Sequence, residues 1–279
     1  MNDMNNNYSV LMSVYYKENA QYLRRAMDSM WEQTIPTDDF VLVCDGPLTP
    51  ELDAVIDEME QRHKDILRVI RLEKNVGLGN ALNAGIKKCK NELVARMDSD
   101  DISRPDRCEK QLAVFCQHPE VSICSGTIVE FIDSPHNVIG KRELPLNDKE
   151  IKAFSRKRNP CNHPAVMFRK SSVETAGGYM EEFHLFEDYY LWVRMFMKGA
   201  IAMNLKDPIL YMRTPADLYM RRGGRNYAKD MLSFHWWMKS QGWISDFTFL
   251  TCAIPHAIVC ILPNSFRAAV YRMLHAKEN

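Results

Sequence analysis

The chain has 279 residues, 46% hydrophobic and 26% charged. That is enough for one large α/β domain, or one domain plus a smaller appendage, and it excludes a mostly disordered chain. Thirty-six basic residues balance thirty-six acidic ones for a formal charge of zero, and without a basic surplus no nucleic-acid partner is expected. The eight cysteines are scattered through apolar stretches with no Cys-x-x-Cys pair, which reads as reduced, buried thiols of a cytosolic protein. Residues 1–7 are polar and lack the basic-then-apolar order of a secretion signal.

Hydrophobic periodicity then switches repeatedly between two residues and about 3.6. Tyr8 to Val14 is a short apolar run suited to a buried strand. Asn19 can cap a helix whose apolar positions Ala20, Leu23, Met27, Met30 and Trp31 recur at helical spacing. Phe40 to Cys44 is a second strand, and Pro50 opens a helix with Leu52, Val55, Ile56 and Met59 on one side. Ile66 to Arg71 is a third strand, Leu78 to Cys89 a third helix and Leu93 to Met97 a fourth strand. This βαβαβαβ order predicts a doubly wound parallel sheet.

Parallel sheets place ligands beyond the carboxyl ends of their strands. Three such ends are polar: Tyr15-Tyr16-Lys17-Glu18, Asp45-Gly46, and Asp98-Ser99-Asp100-Asp101. Alternation puts Asp98 and Asp100 on one face, with Asp101 expected to point elsewhere. Two neighbouring carboxylates repel unless a cation sits between them, and the natural occupant is an oxygen-preferring ion, Mg²⁺ or Mn²⁺. The alternative is a solvated acidic turn ahead of a helix near Pro105. Asn75-Val76-Gly77-Leu78-Gly79-Asn80 is not a dinucleotide fingerprint, because Leu82 stands where a third glycine is required. A helix start there still favours an anion. Cys161 and His163 lack the further ligands a metal needs.

The ordered set Ser9-Val-Leu-Met-Ser-Val-Tyr15, Asp45-Gly46, Asn75-Val-Gly-Leu-Gly-Asn-Ala-Leu-Asn83, Met97-Asp-Ser-Asp-Asp101 and Glu187-Asp188 resembles family 2 glycosyltransferases of the GT-A fold. Asn162-His-Pro-Ala-Val-Met-Phe-Arg169 and Gly177-Gly-Tyr179, with Glu187-Asp-Tyr-Tyr-Leu-Trp-Val-Arg194, resemble the bacterial O-antigen, capsule and exopolysaccharide subgroup. The resemblance runs from Tyr8 to Arg213. It implies a mostly parallel, Rossmann-like α/β sheet flanked by helices, with a nucleotide-sugar-binding catalytic domain over 1–213 and a helical, membrane-associating extension over 214–279.

The resemblance also implies roles. A UDP-sugar donor would meet Tyr15 and Glu18 at its base and ribose, Asp45 at the uracil N–H, and Asn75 nearby. Asp98 and Asp100 match the family's Asp-x-Asp, which holds a divalent Mn²⁺ or Mg²⁺ against the diphosphate. Family members invert at the anomeric carbon, and Asp188 matches the general base, with Glu187 positioning the loop or acceptor. The alternative for Glu187 and Asp188 is that they merely favour the start of a helix running through Lys198.

His163 stands at a strand mouth near the expected acceptor, or is simply structural. Arg221-Arg222-Gly223-Gly224-Arg225 is suited to clamping a donor or acceptor diphosphate, or is a solvated charge run. Trp243 to Pro263 is mostly apolar but broken by Asp246, Pro255 and His256, and the run Phe247 to Leu262 falls short of the roughly 20 apolar residues a spanning helix needs, leaving an interfacial helix or soluble helical packing. Arg267, Arg272 and Lys277 follow among Phe266, Val270, Tyr271 and Leu274, as in a helix lying in an anionic interface. The expectation is a peripheral enzyme on the inner face of the cytoplasmic membrane, extending a lipid-linked oligosaccharide. Three alternatives stay open: a soluble or protein acceptor, a metal phosphatase using Asp98 and Asp100, and a non-catalytic sugar-nucleotide scaffold.

Overall fold

A computed structural model describes residues 7–183, 185–214 and 223–261. The apolar runs become parallel strands, the three inner ones buried on both faces and the edge strand Leu67–Arg71 partly exposed. β1 (Tyr8–Val14), β2 (Asp39–Cys44), β3 (Leu67–Arg71) and β4 (Leu93–Asp98) lie in the order β3-β2-β1-β4, all parallel. Side-chain alternation sorts β1 between two layers. Tyr8, Val10, Met12 and Val14 pack in one cluster with α1 (Ala20–Trp31) and α2 (Pro50–Arg62). Leu11 packs in the other with α3 (Leu78–Ile86).

The predicted helix starts hold. Asn19 Oδ1 accepts from the backbone N–H of Gln21 at 2.8 Å and of Tyr22 at 3.3 Å. Thr49 caps α2, with Pro50 in its first turn. The third helix ends at Ile86 rather than Cys89, where the bonding tightens to i→i−3: the Lys88 N–H takes the Gly85 carbonyl at 2.8 Å and the Cys89 N–H the Ile86 carbonyl at 3.2 Å.

Beyond β4 follow β5 (Ile102–Ser103), α4 (Arg107–Gln117), β6 (Val121–Phe131), β7 (Val138–Arg142) and α5 (Asp148–Phe154). Then come β8 (Met167–Arg169), α6 (Lys170–Thr175), α7 (Glu187–Met197), β9 (Ile201–Arg213) and α8 (Arg225–Ser240). A last helical run comprises Asp246–Thr248, a π-helical Phe249–Ala253 and Ile254–Ile261. The sheet continues β4-β8-β6-β9-β5, with β7 on β6. β8 runs antiparallel to β4 and β6, whereas β6 and β9 are parallel. The sheet is therefore parallel across its first four strands and mixed beyond them.

Helix α7 is apolar almost all round, as a helix buried on two sides must be. Leu191, Trp192 and Met195 join the sheet-facing cluster, while Tyr189, Tyr190 and Val193 pack with Met231, Phe234 and Met238 of α8.

The strand order reverses at β1: the chain lays β2 and β3 on one side, then returns to place β4 on the other. That switch point opens a crevice beyond the carboxyl ends of β1 and β4, where Asp98 pairs in register with Ser13. Gly46, just past β2, borders the same region with φ +87°, and a Cβ there would stand 2.6 Å from the Asn75 nitrogen. Gly46→Ala should therefore destabilise the fold by about 1–3 kcal/mol. Denaturant unfolding checks this, and an unchanged midpoint would contradict the close approach.

Candidate active site

Asp98, Asp100 and Asp101 converge at the end of β4, each offering a carboxylate oxygen within 4.8 Å of the others. The expectation that Asp101 points elsewhere is corrected. Strand alternation stops at Asp98, and the bend at Ser99 and Asp100 swings the next side chain back. Buried carboxylates that close repel by roughly 3–4 kcal/mol at an effective dielectric of about 20. Burial, then Asp98 and Glu18, push the Asp100 carboxyl up to about 7. Burial, then Asp100 and Asp98, hold Asp101 well above the carboxylate range.

Asp101 Oδ1 accepts from the Arg213 backbone N–H at 2.7 Å, but its buried Oδ2 has no hydrogen-bond partner. An all-oxygen donor set with an orphaned carboxylate oxygen fits a hard divalent cation such as Mn²⁺ or Mg²⁺.

Two arginines support this cluster from inside the fold. Arg96, 1% exposed, pairs through Nη2 with Asp98 Oδ1. Its buried Nε and Nη1 find no partner, at about 1–3 kcal/mol per unsatisfied buried group. Arg107, fully buried, donates from Nη2 to the Arg96 carbonyl at 2.6 Å and from Nε to Gln111 at 3.1 Å. At the rim, Arg213 donates from Nε to the Asp100 carbonyl at 3.1 Å and lies over the Tyr22 ring at 3.6 Å.

On the β1 side, Tyr15 is exposed and meets Tyr16 edge-on at 5.8 Å. Glu18 accepts from Ser99 Oγ at 2.6 Å, which ties the β1–α1 loop to the acidic turn. Asp45 is buried. Its oxygens accept from Val76 N–H at 2.7 Å, Gly77 N–H at 3.1 Å and Asn75 Nδ2 at 3.0 Å. Asp45 thus pins the loop that opens α3, and each oxygen, with two lone pairs, keeps capacity for a further donor.

On the other side Asp188 occupies the first turn of α7, where the helix dipole favours an acid. Its Oδ2 accepts from Asn159 Nδ2 at 2.6 Å and its Oδ1 from the Tyr189 N–H at 2.7 Å. Burial raises its pKa, against the opposing effects of those two bonds and of Arg96. Glu187 precedes it in the same turn. His163 Nε2 lies 2.8 Å from the Tyr179 hydroxyl, and burial, then Arg96, hold the imidazole neutral well below its usual range.

Tyr179 is clamped by Asn83, whose amide accepts from Tyr179 N–H and donates to its carbonyl, both at 2.8 Å. That approach requires glycine next door: Gly178 has φ +71°, and a Cβ would stand 2.6 Å from Asn83 Oδ1. The Tyr179 ring also packs on His163, which in turn meets Trp192 of α7 edge-on at 6.0 Å.

The structure therefore gathers Asp98 and Asp100, links Glu18 to them through Ser99, joins Asp45 to Asn75, and sets His163 beside Tyr179 and against Trp192 of α7, the helix whose first turn carries Asp188. Arg221 and Arg222 lie outside the described residues. Asp101, Arg96, Tyr179, Asn159 and Arg213 were missed from sequence. Arg96 did leave a signal, as a charge inside an otherwise apolar strand.

Clustered carboxylates thus stand at the end of a parallel strand beside the topological switch point, where sheets of this kind bind their ligands. The profile of glycosyl transferase family 2 matches residues 9–177, and the chain belongs to that family. It is 40% identical over 230 residues to the amylovoran biosynthesis glycosyltransferase AmsE of Erwinia amylovora, covering 82% of this chain and 84% of that one. It is 35% identical over 272 residues to the UDP-Gal:alpha-D-GlcNAc-diphosphoundecaprenol beta-1,3-galactosyltransferase of Escherichia coli, covering 98% of both. Among solved structures, the mannosyltransferase PcManGT of Pyrobaculum calidifontis, in complex with GDP-Man and Mn2+, shares the fold with a TM-score of 0.64 and 18% identity, covering 96% of this chain and 79% of that one.

Proposed function

We propose that this protein is an inverting, metal-dependent glycosyltransferase of bacterial surface polysaccharide assembly (O-antigen, capsule or exopolysaccharide). It moves a hexose or N-acetylhexosamine from a UDP-sugar to a polyprenyl-diphosphate-linked oligosaccharide. The observation that carries this reading is the placement of the Asp98, Asp100 and Asp101 oxygens within 4.8 Å of one another at the switch point of the sheet. The Escherichia coli relative, named for a UDP-Gal donor and a diphosphoundecaprenol-borne acceptor, supports the substrate pair.

In this reading Tyr15 and Glu18 line the base and ribose, and Asp45, braced by Asn75, accepts from the uracil N–H. Asp98, Asp100 and Asp101 hold Mn²⁺ or Mg²⁺, which when bound stabilises negative charge on the diphosphate as a Lewis acid. The acceptor hydroxyl oxygen attacks the anomeric carbon as the bond to the diphosphate breaks. UDP departs with the bonding electron pair, and Asp188 takes the hydroxyl proton. Glu187 and His163 position the acceptor, and Arg221 and Arg222 contact a diphosphate.

The chain divides into a catalytic part, 1–213, and a C-terminal part, 214–279, that works at the inner surface of the cytoplasmic membrane; its described residues form α8 and the last helical run, while Arg267, Arg272 and Lys277 lie outside the described residues. Among the described residues no helix is long and apolar enough to cross a membrane. Phe247, Leu250, Ile254, Ile258 and Ile261, however, are exposed from 36% to 75% along the last helical run, with Trp236 exposed on α8. Spacings of three and four residues place those five side chains along one stripe, as in an interfacial helix.

Asp188→Asn should keep UDP binding yet lose transfer by on the order of 10²–10⁴-fold; intact turnover would sink the assignment. The base works only when ionised and burial raises its pKa. At saturating metal the acid limb of wild-type kcat/KM should therefore lie above the ordinary aspartate value of about 3.9, and a limb at or below that value contradicts this role. Phe247→Glu combined with Ile258→Glu should abolish sedimentation with anionic vesicles while sparing UDP-sugar hydrolysis. Undiminished sedimentation would refute the membrane contact.

A further inference from the structure

Arg96 stands in the interior of β4, in register with Leu11 of β1 and 1% exposed. Asp98 follows two residues later on the same face. Its backbone is fixed on both sides: the N–H donates to the Val166 carbonyl at 2.9 Å, and the carbonyl accepts from Arg107 Nη2 at 2.6 Å. Among the described residues its side chain has one ion pair, from Nη2 to Asp98 Oδ1, while the buried Nε and Nη1 make no hydrogen bond. Packing does not account for a charge here. A methionine would fill comparable volume without two idle donors in the interior. The guanidinium charge also acts on His163, Tyr179 and Asp188.

We propose that Arg96 is a positioning residue for sugar transfer, its buried fork fixing the Asp98 carboxylate so that the acidic cluster stays open to a metal–diphosphate. This rests on the reading of Asp98, Asp100 and Asp101 as the metal–nucleotide site. Partners that orient a metal-ligating carboxylate commonly contribute 10–100-fold to metal affinity. The planar fork matters as well as the charge, because lysine offers a rotatable point charge in its place.

Calorimetric titration of Mn²⁺ into protein saturated with UDP tests the proposal without a turnover assay. Arg96→Met should weaken Mn²⁺ binding by about tenfold or more with no drop in thermal midpoint, and Arg96→Lys should fall between it and wild type. In an Asp98→Asn background the same Arg96 substitution should add no further loss, because the two residues act as a unit. Arg96→Lys provides the same contrast if the methionine variant does not fold. Wild-type Mn²⁺ affinity in the Arg96 variants, or an equal loss with and without Asp98, overturns the proposal. Unimpaired Mn²⁺ binding in Asp98→Asn alone overturns the underlying site reading instead.

Discussion

Mutual repulsion among Asp98, Asp100 and Asp101 is the constraint around which this fold is arranged. Three carboxylate oxygens are brought within 4.8 Å of one another, with Asp101 buried and Asp98 and Asp100 half-buried, so water screens them only in part. The backbone cannot avoid this juxtaposition: β4 delivers Asp98 in register with the end of β1, and the following bend returns Asp101 to the same place. What offsets the repulsion from within is a layer of fixed donors. Arg96 takes Asp98, the Arg213 N–H takes Asp101, and Arg107 grips the Arg96 carbonyl. These leave Asp101 Oδ2 unpaired, so the protein alone does not complete the site.

Helix α7 connects this centre to the rest of the chain. One of its faces belongs to the sheet core and the other to the aromatic cluster built with α8. Asp188 at its first turn is thus anchored by both layers, and its height above the crevice is set by packing on each side. The last helical run joins the same cluster through Ala257 and Cys260, so packing connects the helix that carries Asp188 to the exposed apolar stripe.

Much of this was legible in the sequence because the first four strands are local βα units whose apolar runs and caps each declare themselves. Asn19, Thr49 and Pro50 do at the helix starts what their chemistry dictates. The second half was less legible. β8, with only Met167–Arg169, and the two-residue β5 are too short to leave a periodic signal, and their antiparallel pairing is decided by contacts distant in sequence. Asp101 was misjudged because strand alternation was extended past the point where the strand ends. Arg96 looked like an interruption of a strand, and its partner emerged only when Asp98 was seen on the same face. Asp45 was expected to face a base; its engagement with the Asn75–Gly77 loop depends on an approach of the loops after β2 and before α3 that spacing does not reveal.

The most direct measurement of the central claim is the stoichiometry of Mn²⁺ bound in the presence of UDP, read by electron paramagnetic resonance on the wild-type chain and on Asp100→Ala. One tightly held ion per wild-type chain, lost in a folded Asp100→Ala variant, is the predicted result. Equal Mn²⁺ retention by both proteins, or no UDP-dependent ion in the wild type, would contradict a metal centre at the clustered aspartates.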